Sequence, residues 1–392
     1  MGKRFGKNKN IEKYNFTSLD ITGKFATGKI QHTLLAGIDA DIIKTTAYTF
    51  DYTQYRTDKK NIYDTVNVFG TKQYTQRSDI PNVPWLFYTN APVSRIGVYA
   101  QDFMTLSSKI KVLAGIRYSA SKIETLDSIY ATGIEKLHNE KRKGDAFSPR
   151  LGFVYQPTKN ISLFTSYTNT YDLNTAIDTF GVVLQPSIID QYELGIKTML
   201  LNNKVSINVT TYIINNNNAV QSYPNLAPSD TRREIGGLTQ SKGFEVDVVT
   251  KNVYGFNVNA GYSYNDTRYK KSTLYVEGSR ILYTPNHTAN AHVYYTVKPT
   301  YKLNGLNAGM GIYYVGGRVA GRSTTKANPG YALMPLSSYF LFETSIGYNY
   351  QNVSFRFKVN NILNELSYNV HDDNSVNPIA PRQFAATVAY KF

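Results

Sequence analysis

Cysteine is absent from the 392 residues, and tryptophan occurs once. Without cysteine there is no disulfide framework, no thiolate zinc site and no cysteine nucleophile. The redox compartment stays open, because a chain without thiols suits any of them. Also missing is an apolar run of about 18 residues, the length a membrane-crossing helix needs. With a mean hydropathy of −0.35, a helical membrane protein is excluded. Acidic residues are few, 28 against 43 Lys and Arg, for a formal net charge of +15. The basic residues are spread along the chain, whereas a nucleic-acid binder gathers them on one element. The charge therefore reads first as solvated loops, then as attraction to anionic lipid or ligand, and no nucleic-acid partner is expected. Residues Met1 to Asn10 are basic, but no apolar stretch follows them, so no secretory signal peptide is expected there.

What the chain has in quantity is tyrosine: 33 Tyr and 19 Phe bring the aromatic content to 14%. Aromatics this dense argue against disorder, and they favour strands and half-wet interfaces. Period-two alternation supports this many times over. Phe384, Ala386, Val388, Tyr390 and Phe392 share one face, and Gln383, Thr387 and Lys391 the other. Val353, Phe355, Phe357 and Val359 alternate with Ser354, Arg356, Lys358 and Asn360. About fifteen strands follow, over 18–27, 30–43, 94–106, 109–122, 146–156, 160–171, 189–200, 204–215, 238–250, 255–267, 286–298, 306–318, 339–350, 353–364 and 382–392. Most reach the roughly 9–11 residues that cross a bilayer at a tilt. The gaps between them alternate between short, 2–7 residues, and long, 17–50 residues.

Alternation alone fits a soluble sandwich as well as a membrane barrel. Strand length and one-sided long loops decide for an all-β, antiparallel up-and-down transmembrane β-barrel, with short periplasmic turns and long extracellular loops. Charge placement agrees. Asp20, Lys24, Asp39, Asp41, Lys111, Arg117, Arg150, Glu193, Lys197, Glu245, Asp247, Glu343, Arg356, Lys358 and Lys391 all fall in the polar register. Asp102 is the exception, near the short-turn end of its strand.

No constellation for catalysis assembles, so no enzyme is expected. Gly23 to Ile30 nearly matches a phosphate-binding loop, but Ile30 stands where Ser or Thr should, and the segment reads as a hairpin turn. His287 and His292 are five apart, on opposite faces of a strand, and cannot share a metal. Glu245 and Asp247 share a face and read as part of a charge lattice, with Arg and Lys opposite them in a water-filled lumen. Trp85, Phe87 and Tyr88 cluster in the longest loop, residues 44–93, and Tyr223, Arg232 and Arg233 in another. Aromatic and cationic groups at a barrel mouth suit an anionic, partly aromatic ligand. These six are the candidate ligand-binding residues.

Residues 189–197, 236–247, 284–290, 359–364 and 381–392, taken in order, resemble the TonB-dependent siderophore receptors. Ile189 to Lys197 resembles the family's Gln-x-Glu-x-Gly-x-Lys strand, and Gly236 to Asp247 its Ser-Lys-Gly-x-Glu strand. Thr284 to Asn290 resembles Pro-x-His-Thr-x-Asn, Val359 to Asn364 resembles Val-x-Asn-Leu-Phe-Asp, and Pro381 to Phe392 resembles the final strand. The resemblance implies an outer-membrane receptor that binds a ferric siderophore and passes it inward with energy delivered by TonB. Iron then arrives as chelated cargo, without a resident cofactor or metal site. Phe392 looks like the family's aromatic insertion signal. Outer-membrane lipid and lipopolysaccharide are further expected partners. Pro224 to Leu226 resembles part of a haem-receptor box, but out of order, so haem is set behind the siderophore. Haem, vitamin B12 or an oligosaccharide remain alternative ligands. A non-specific porin, a soluble β-rich binding protein and a non-functional remnant are the alternative functions.

Large plugged transporters have 22 strands. About fifteen are read here, and an odd number does not close a standard antiparallel barrel. Residues 1–392 are therefore expected to be the C-terminal portion of a receptor barrel, without its plug domain, first strands and signal peptide. Such a sheet, with unpaired edges in lipid, is expected neither to insert stably nor to transport alone.

Overall fold

The computed structural model describes all residues except 1, 5, 53–61, 66, 68–69, 71–81, 125–126, 134, 137–140, 173, 175, 177, 181, 183, 224–231, 299–302, 331–332 and 373–374. Every regular element among the described residues is a strand. In order they are β1 (Gly2–Arg4), β2 (Lys9–Thr27), β3 (Ile30–Phe50), β4 (Ile62–Thr65), β5 (Trp85–Thr105), β6 (Ile110–Glu124), β7 (Asp127–Tyr130) and β8 (Glu135–Lys136). There follow β9 (Lys141–Thr158), β10 (Ile161–Asp172), β11 (Ser187–Leu200), β12 (Val205–Ser222), β13 (Arg233–Thr250), β14 (Phe256–Lys271), β15 (His287–Thr296) and β16 (Leu306–Val315). The last are β17 (Arg318–Ala320), β18 (Met334–Leu336), β19 (Tyr339–Tyr350), β20 (Val353–Asn360), β21 (Tyr368–Asp372), β22 (Ser375–Pro378) and β23 (Gln383–Tyr390). Each of the fifteen spans read from alternation corresponds to a strand of at least eight residues. Among the described residues the eight other strands are two to five residues long; β1 precedes β2 and the other seven lie in the long connections.

The chain forms two compact units. One comprises residues 1–21, 36–100 and 117–147, the other residues 22–35, 101–116 and 148–392. In the second unit the strands pair with their chain neighbours, always antiparallel. β10 pairs β11 from Ile161↔Thr198 to Asp172↔Ser187, and β11 pairs β12 from Ile188↔Asn217 to Leu200↔Val205. The ladder continues through β13, β14, β15, β16, β19 and β20 to β23, whose partner is β20, from Val353↔Tyr390 to Asn360↔Gln383. In the first unit β1 pairs β4, and a small hairpin-like addition, β7 with β8, pairs onto β5.

The short turns carry residues that accept a left-handed backbone. Gly28 turns β2 into β3, Leu201 to Asn203 turn β11 into β12, and Gln351 turns β19 into β20, all at positive φ. Gly23 to Ile30 is thus a strand–turn–strand hairpin.

Burial separates a membrane barrel from a sandwich. In a soluble sandwich the apolar face of each strand is the most buried part. Here it is open: Leu194 is 60% exposed, Met310 66% and Val388 67%. The buried apolar residues among those described are Phe50, Val83, Leu282, Ala320 and Tyr339, all at strand ends or in the long connections. A sheet with its apolar face bare and its charges on the opposite face suits lipid outside and water inside.

Candidate functional site

The polar face is cross-linked strand to strand. In the first unit Arg117 donates from Nη1 and Nη2 to the two carboxylate oxygens of Asp39, at 2.7 Å each. Arg95 Nη2 donates to Asp41 at 2.8 Å, and the Tyr99 hydroxyl donates to Asp20. In the second unit Lys358 Nζ meets Glu343 at 2.9 Å, and His292 Nδ1 lies 3.5 Å from the same carboxylate. Bidentate and shared pairs of this kind fix side chains flat against the wall and keep the passage polar.

Glu245 and Asp247 depart from the expected lattice. They line a cavity of about 420 Å³ with Ser263, Asn290 and Tyr313. Ser263 donates to Glu245 at 3.5 Å, and neither carboxylate makes an ion pair among the described residues. Lys197, two strands over in register with Asp247, stands over the Phe164 ring instead, at 5.1 Å. Among the described residues no three His, Asp or Glu side chains come together as a metal site would require.

Asp102 does point to the apolar register, and the fold compensates it. His32 Nδ1 lies 2.6 Å from its Oδ2, the other His32 nitrogen bonds Thr27, and Phe25 stacks on the imidazole at 4.7 Å. The hairpin of β2 and β3 thus supplies a partner 70 residues away in sequence.

The candidate ligand residues are not all in loops. β3 runs on to Phe50 and β5 begins at Trp85, so Trp85, Phe87 and Tyr88 lie on a strand and not in a loop over 44–93. Ladder hydrogen bonding continues past the segment whose hydropathy alternates, which is why the loop was overestimated. Trp85 and Tyr88 pack together at 5.9 Å and share Tyr48, at 6.3 and 5.5 Å. Phe87 turns away to Tyr130, 5.2 Å distant. Lys9 Nζ stands over Tyr48 and Lys7 Nζ over Phe50, both at 4.6 Å. The first unit therefore carries an aromatic cluster of Tyr48, Trp85 and Tyr88 with Lys9 on it, and a separate pair of Lys7 on Phe50; alternation and composition mark only the β5 half.

Tyr223, Arg232 and Arg233 do converge, in the second unit. Arg233 is the first residue of β13 rather than a loop residue, and it pairs with Ser222, beside Tyr223. All three are half-buried. Pro224 to Leu226 lies outside the described residues. Three long connections lock together around this hairpin end. Ser272 donates to Gln221 at 2.8 Å, and Gln221 donates to Glu234 at 2.9 Å. Lys326 Nζ donates to the Ser272 carbonyl at 2.6 Å and meets Glu277 at 3.4 Å. Tyr275 stacks on Tyr269 at 4.2 Å. Burial pushes the Tyr275 hydroxyl above the ordinary tyrosine range, and Tyr269 beside it adds to that. The Ser272 backbone N–H, then Lys326, hold the Glu277 carboxyl below its usual value. No local pattern announces the bonds from Ser272 to Gln221 and from Lys326 to Ser272 and Glu277, which join residues 49 to 54 apart.

Phe392 is fully exposed just past the end of β23, its ring edge-on to Tyr390 at 5.1 Å.

Long antiparallel strands with a bare apolar face and an ion-paired polar face define a stretch of outer-membrane β-barrel wall. The chain belongs to a particular family of them: the model of the TonB-dependent receptor-like β-barrel matches residues 3–362. This is a receptor family, not one of enzymes. The ferrioxamine B receptor of Salmonella typhimurium is 29% identical over 90% of this chain and 47% of its own length. The ferrichrome outer membrane transporter/phage receptor of Escherichia coli K12 is 25% identical over 78% of this chain and 39% of its own. The crystal structure of the siderophore receptor PiuA from Acinetobacter baumannii superposes with a TM-score of 0.78 at 19% identity. It covers 98% of this chain and 56% of that one. The chain spans about half the length of the curated relatives it matches, and the fifteen long strands among the described residues are fewer than the 22 of a large plugged transporter.

Proposed function

We propose that residues 1–392 are the C-terminal part of the barrel of a TonB-dependent receptor that takes up a ferric siderophore across the outer membrane. The observation that carries this reading is similarity along 90% of the chain to a receptor for ferrioxamine B. Ligand would be met by the aromatic–cationic cluster of Trp85, Tyr88 and Lys9, and by the Tyr223, Arg232 and Arg233 hairpin end. Phe87 would support the first through Tyr130. A ferric chelate is large, polar and commonly anionic, and rings with fixed cations suit it. Iron comes and goes within its chelate, with no resident cofactor in this part. The polar face would line the route, and TonB would supply energy through a plug domain encoded outside these residues. Phe392 would serve as the signal for insertion. Alone, the chain would neither insert stably into a bilayer nor transport.

The test is made on outer membranes of iron-starved source cells. The product's intact mass and terminal peptides are measured, together with TonB-dependent uptake of radioactive iron. A product well above the 44.2 kDa of this chain, with peptides upstream of Met1 and uptake lost on deletion, is expected. A product of 44.2 kDa beginning at Met1 refutes the transport reading and leaves only shared ancestry.

A further inference from the structure

Six short turns of the second unit each present a lysine. The turns joining β2 to β3, β5 to β6, β9 to β10, β11 to β12, β13 to β14 and β15 to β16 carry Lys29, Lys109, Lys159, Lys204, Lys251 and Lys298. All six are exposed, and none makes a side-chain hydrogen bond or ion pair among the described residues. No Asp or Glu occurs in these turns, nor in Gln351-Asn352, which joins β19 to β20. The long connections carry both signs, with Asp51, Asp178, Glu277 and Glu365 among their acids. Charge of one sign gathered at one end of a wall repels itself, and a partner of opposite sign relieves the repulsion.

The backbone holds these turns in a row. The Lys109 carbonyl accepts from the Gln156 N–H at 2.7 Å, that of Asn160 from Met199 at 2.8 Å, that of Lys204 from Lys251 at 2.7 Å and that of Gly255 from Thr296 at 3.0 Å. Each bond ties a turn to the turn or strand end beside it. Successive turns lie two strands apart, so the lysines recur about every 10 Å. Among them stand amides and hydroxyls: Ser107, Ser108, Asn160, Asn202, Asn203 and Asn252. Of the described residues in the six turns only Tyr254 is aromatic.

Those features select the partner. In a barrel of this kind the short turns face the periplasm. A belt set among lipid headgroups would carry the aromatic girdle of that interface, which these turns lack. Evenly spaced cations suit a polymer with carboxylates at intervals, because each further contact forms at high effective concentration. The amides and hydroxyls suit sugar hydroxyls and acetamido groups. Peptidoglycan is the periplasmic polymer with both, since its peptide stems carry carboxylates and its strands are acetylated amino sugars.

We infer that the short-turn rim docks on peptidoglycan, its lysines on stem carboxylates and its amides on the glycan. The inference rests on the outer-membrane placement of the chain and goes beyond siderophore uptake.

The full chain in zwitterionic detergent micelles is sedimented with purified peptidoglycan sacculi. It should pellet at low salt and be released by about 1 M salt, where screening acts within about 3 Å. Lys159→Gln, Lys204→Gln and Lys251→Gln combined should weaken binding about tenfold, the loss of three exposed ion pairs. Lys44→Gln, Lys143→Gln and Lys270→Gln combined remove the same charge towards the long connections and should bind as wild type. Sacculi whose carboxyl groups are capped as neutral amides should not retain the wild-type chain. Retention by capped sacculi, wild-type binding by the first triple variant, or equal losses in both triple variants overturns the inference. Lysine-dependent binding to phosphatidylglycerol vesicles but not to sacculi also overturns it, and assigns the belt to lipid. Siderophore uptake is read separately in cells, and its failure leaves the sedimentation result standing.

Discussion

Alanine at Gly97 should be tolerated only if Arg117 lets go of Asp39. A Cβ at Gly97 would fall 1.8 Å from Arg117 Nη2 and 2.3 Å from its Cζ. The obstacle is the tip of a flexible side chain, so the arginine swings aside and the strands stay paired. It then gives up both 2.7 Å bonds to Asp39 and the 2.8 Å bond from Nε to Ser119. It also leaves the face of Tyr99, 5.3 Å from the guanidinium. Hydrogen bonds to charged groups contribute about 1.5–3 kcal/mol each. The Arg117 side chain is 37% exposed, however, and water replaces and screens much of that, leaving about 1–2 kcal/mol in all. The origin of the cost gives a sharper test than its size. With Arg117→Ala already present there is no guanidinium to displace, and Gly97→Ala should cost almost nothing. Urea unfolding of the four proteins in micelles, followed by Trp85 fluorescence, completes the double-mutant cycle. A coupling of about 1 kcal/mol or more is expected. Equal costs in the two backgrounds, within about 0.5 kcal/mol, would show that Gly97 is not there to seat the arginine.

Gly243 should behave differently, because its Cβ would fall 2.0 Å from the Tyr264 carbonyl oxygen. No rotamer relieves a backbone clash, so Gly243→Ala should cost more than Gly97→Ala in the same unfolding assay, and Tyr212→Phe should not rescue it. His32→Ala should cost about 3 kcal/mol by leaving Asp102 unpaired on the apolar face. His32→Leu with Asp102→Leu should recover most of it, and a double variant as unstable as His32→Ala argues against this account. Glu277 lies in a connection outside the membrane-crossing part, and its carboxyl is held below the ordinary value by Ser272 and Lys326. A depressed carboxyl stabilises above its unfolded pKa, and that contribution is lost as pH falls through the folded one. Amide protection over 272–278 and 324–328, measured against the free-chain exchange rate at each pH, should therefore fall in acid, below the usual carboxylate range. Glu277→Gln should show the lower protection already at neutral pH, and an unchanged pH profile in that variant removes Glu277 from the explanation.

The strands could be read because two solvents wrote them. Where one face meets lipid and the other water, selection imposes a period of two, as in Val353 to Asn360, and the register follows it residue by residue. Short turns were equally plain at Asn202 and Gln351, which take the left-handed backbone that a two-to-four-residue reversal needs. The same physics explains what could not be read. Above the lipid the outward side chain no longer has to be apolar, yet the backbone ladder loses nothing by continuing. β12 therefore runs through Asn215, Asn216, Asn217 and Asn218 to Ser222, with a register shift after Asn217, in a stretch that looks like loop by composition. Trp85 and Arg233 look like loop residues for that reason, although each opens a strand. Asp102 broke the pattern because its compensation, His32, is remote in sequence, and Gln221, Ser272 and Lys326 were invisible for the same cause. Trp85, Phe87, Tyr88 and Arg233 thus stand on strands, and their positions are held by ladder hydrogen bonds instead of by loop conformation. On the proposed reading, a ligand surface mounted that way would change specificity through side chains such as Trp85, Tyr88 and Arg233 while the strands beneath them stay paired. The ferrioxamine B and ferrichrome receptors, both under 30% identical to this chain, differ in the chelate their names give, as such an arrangement would allow.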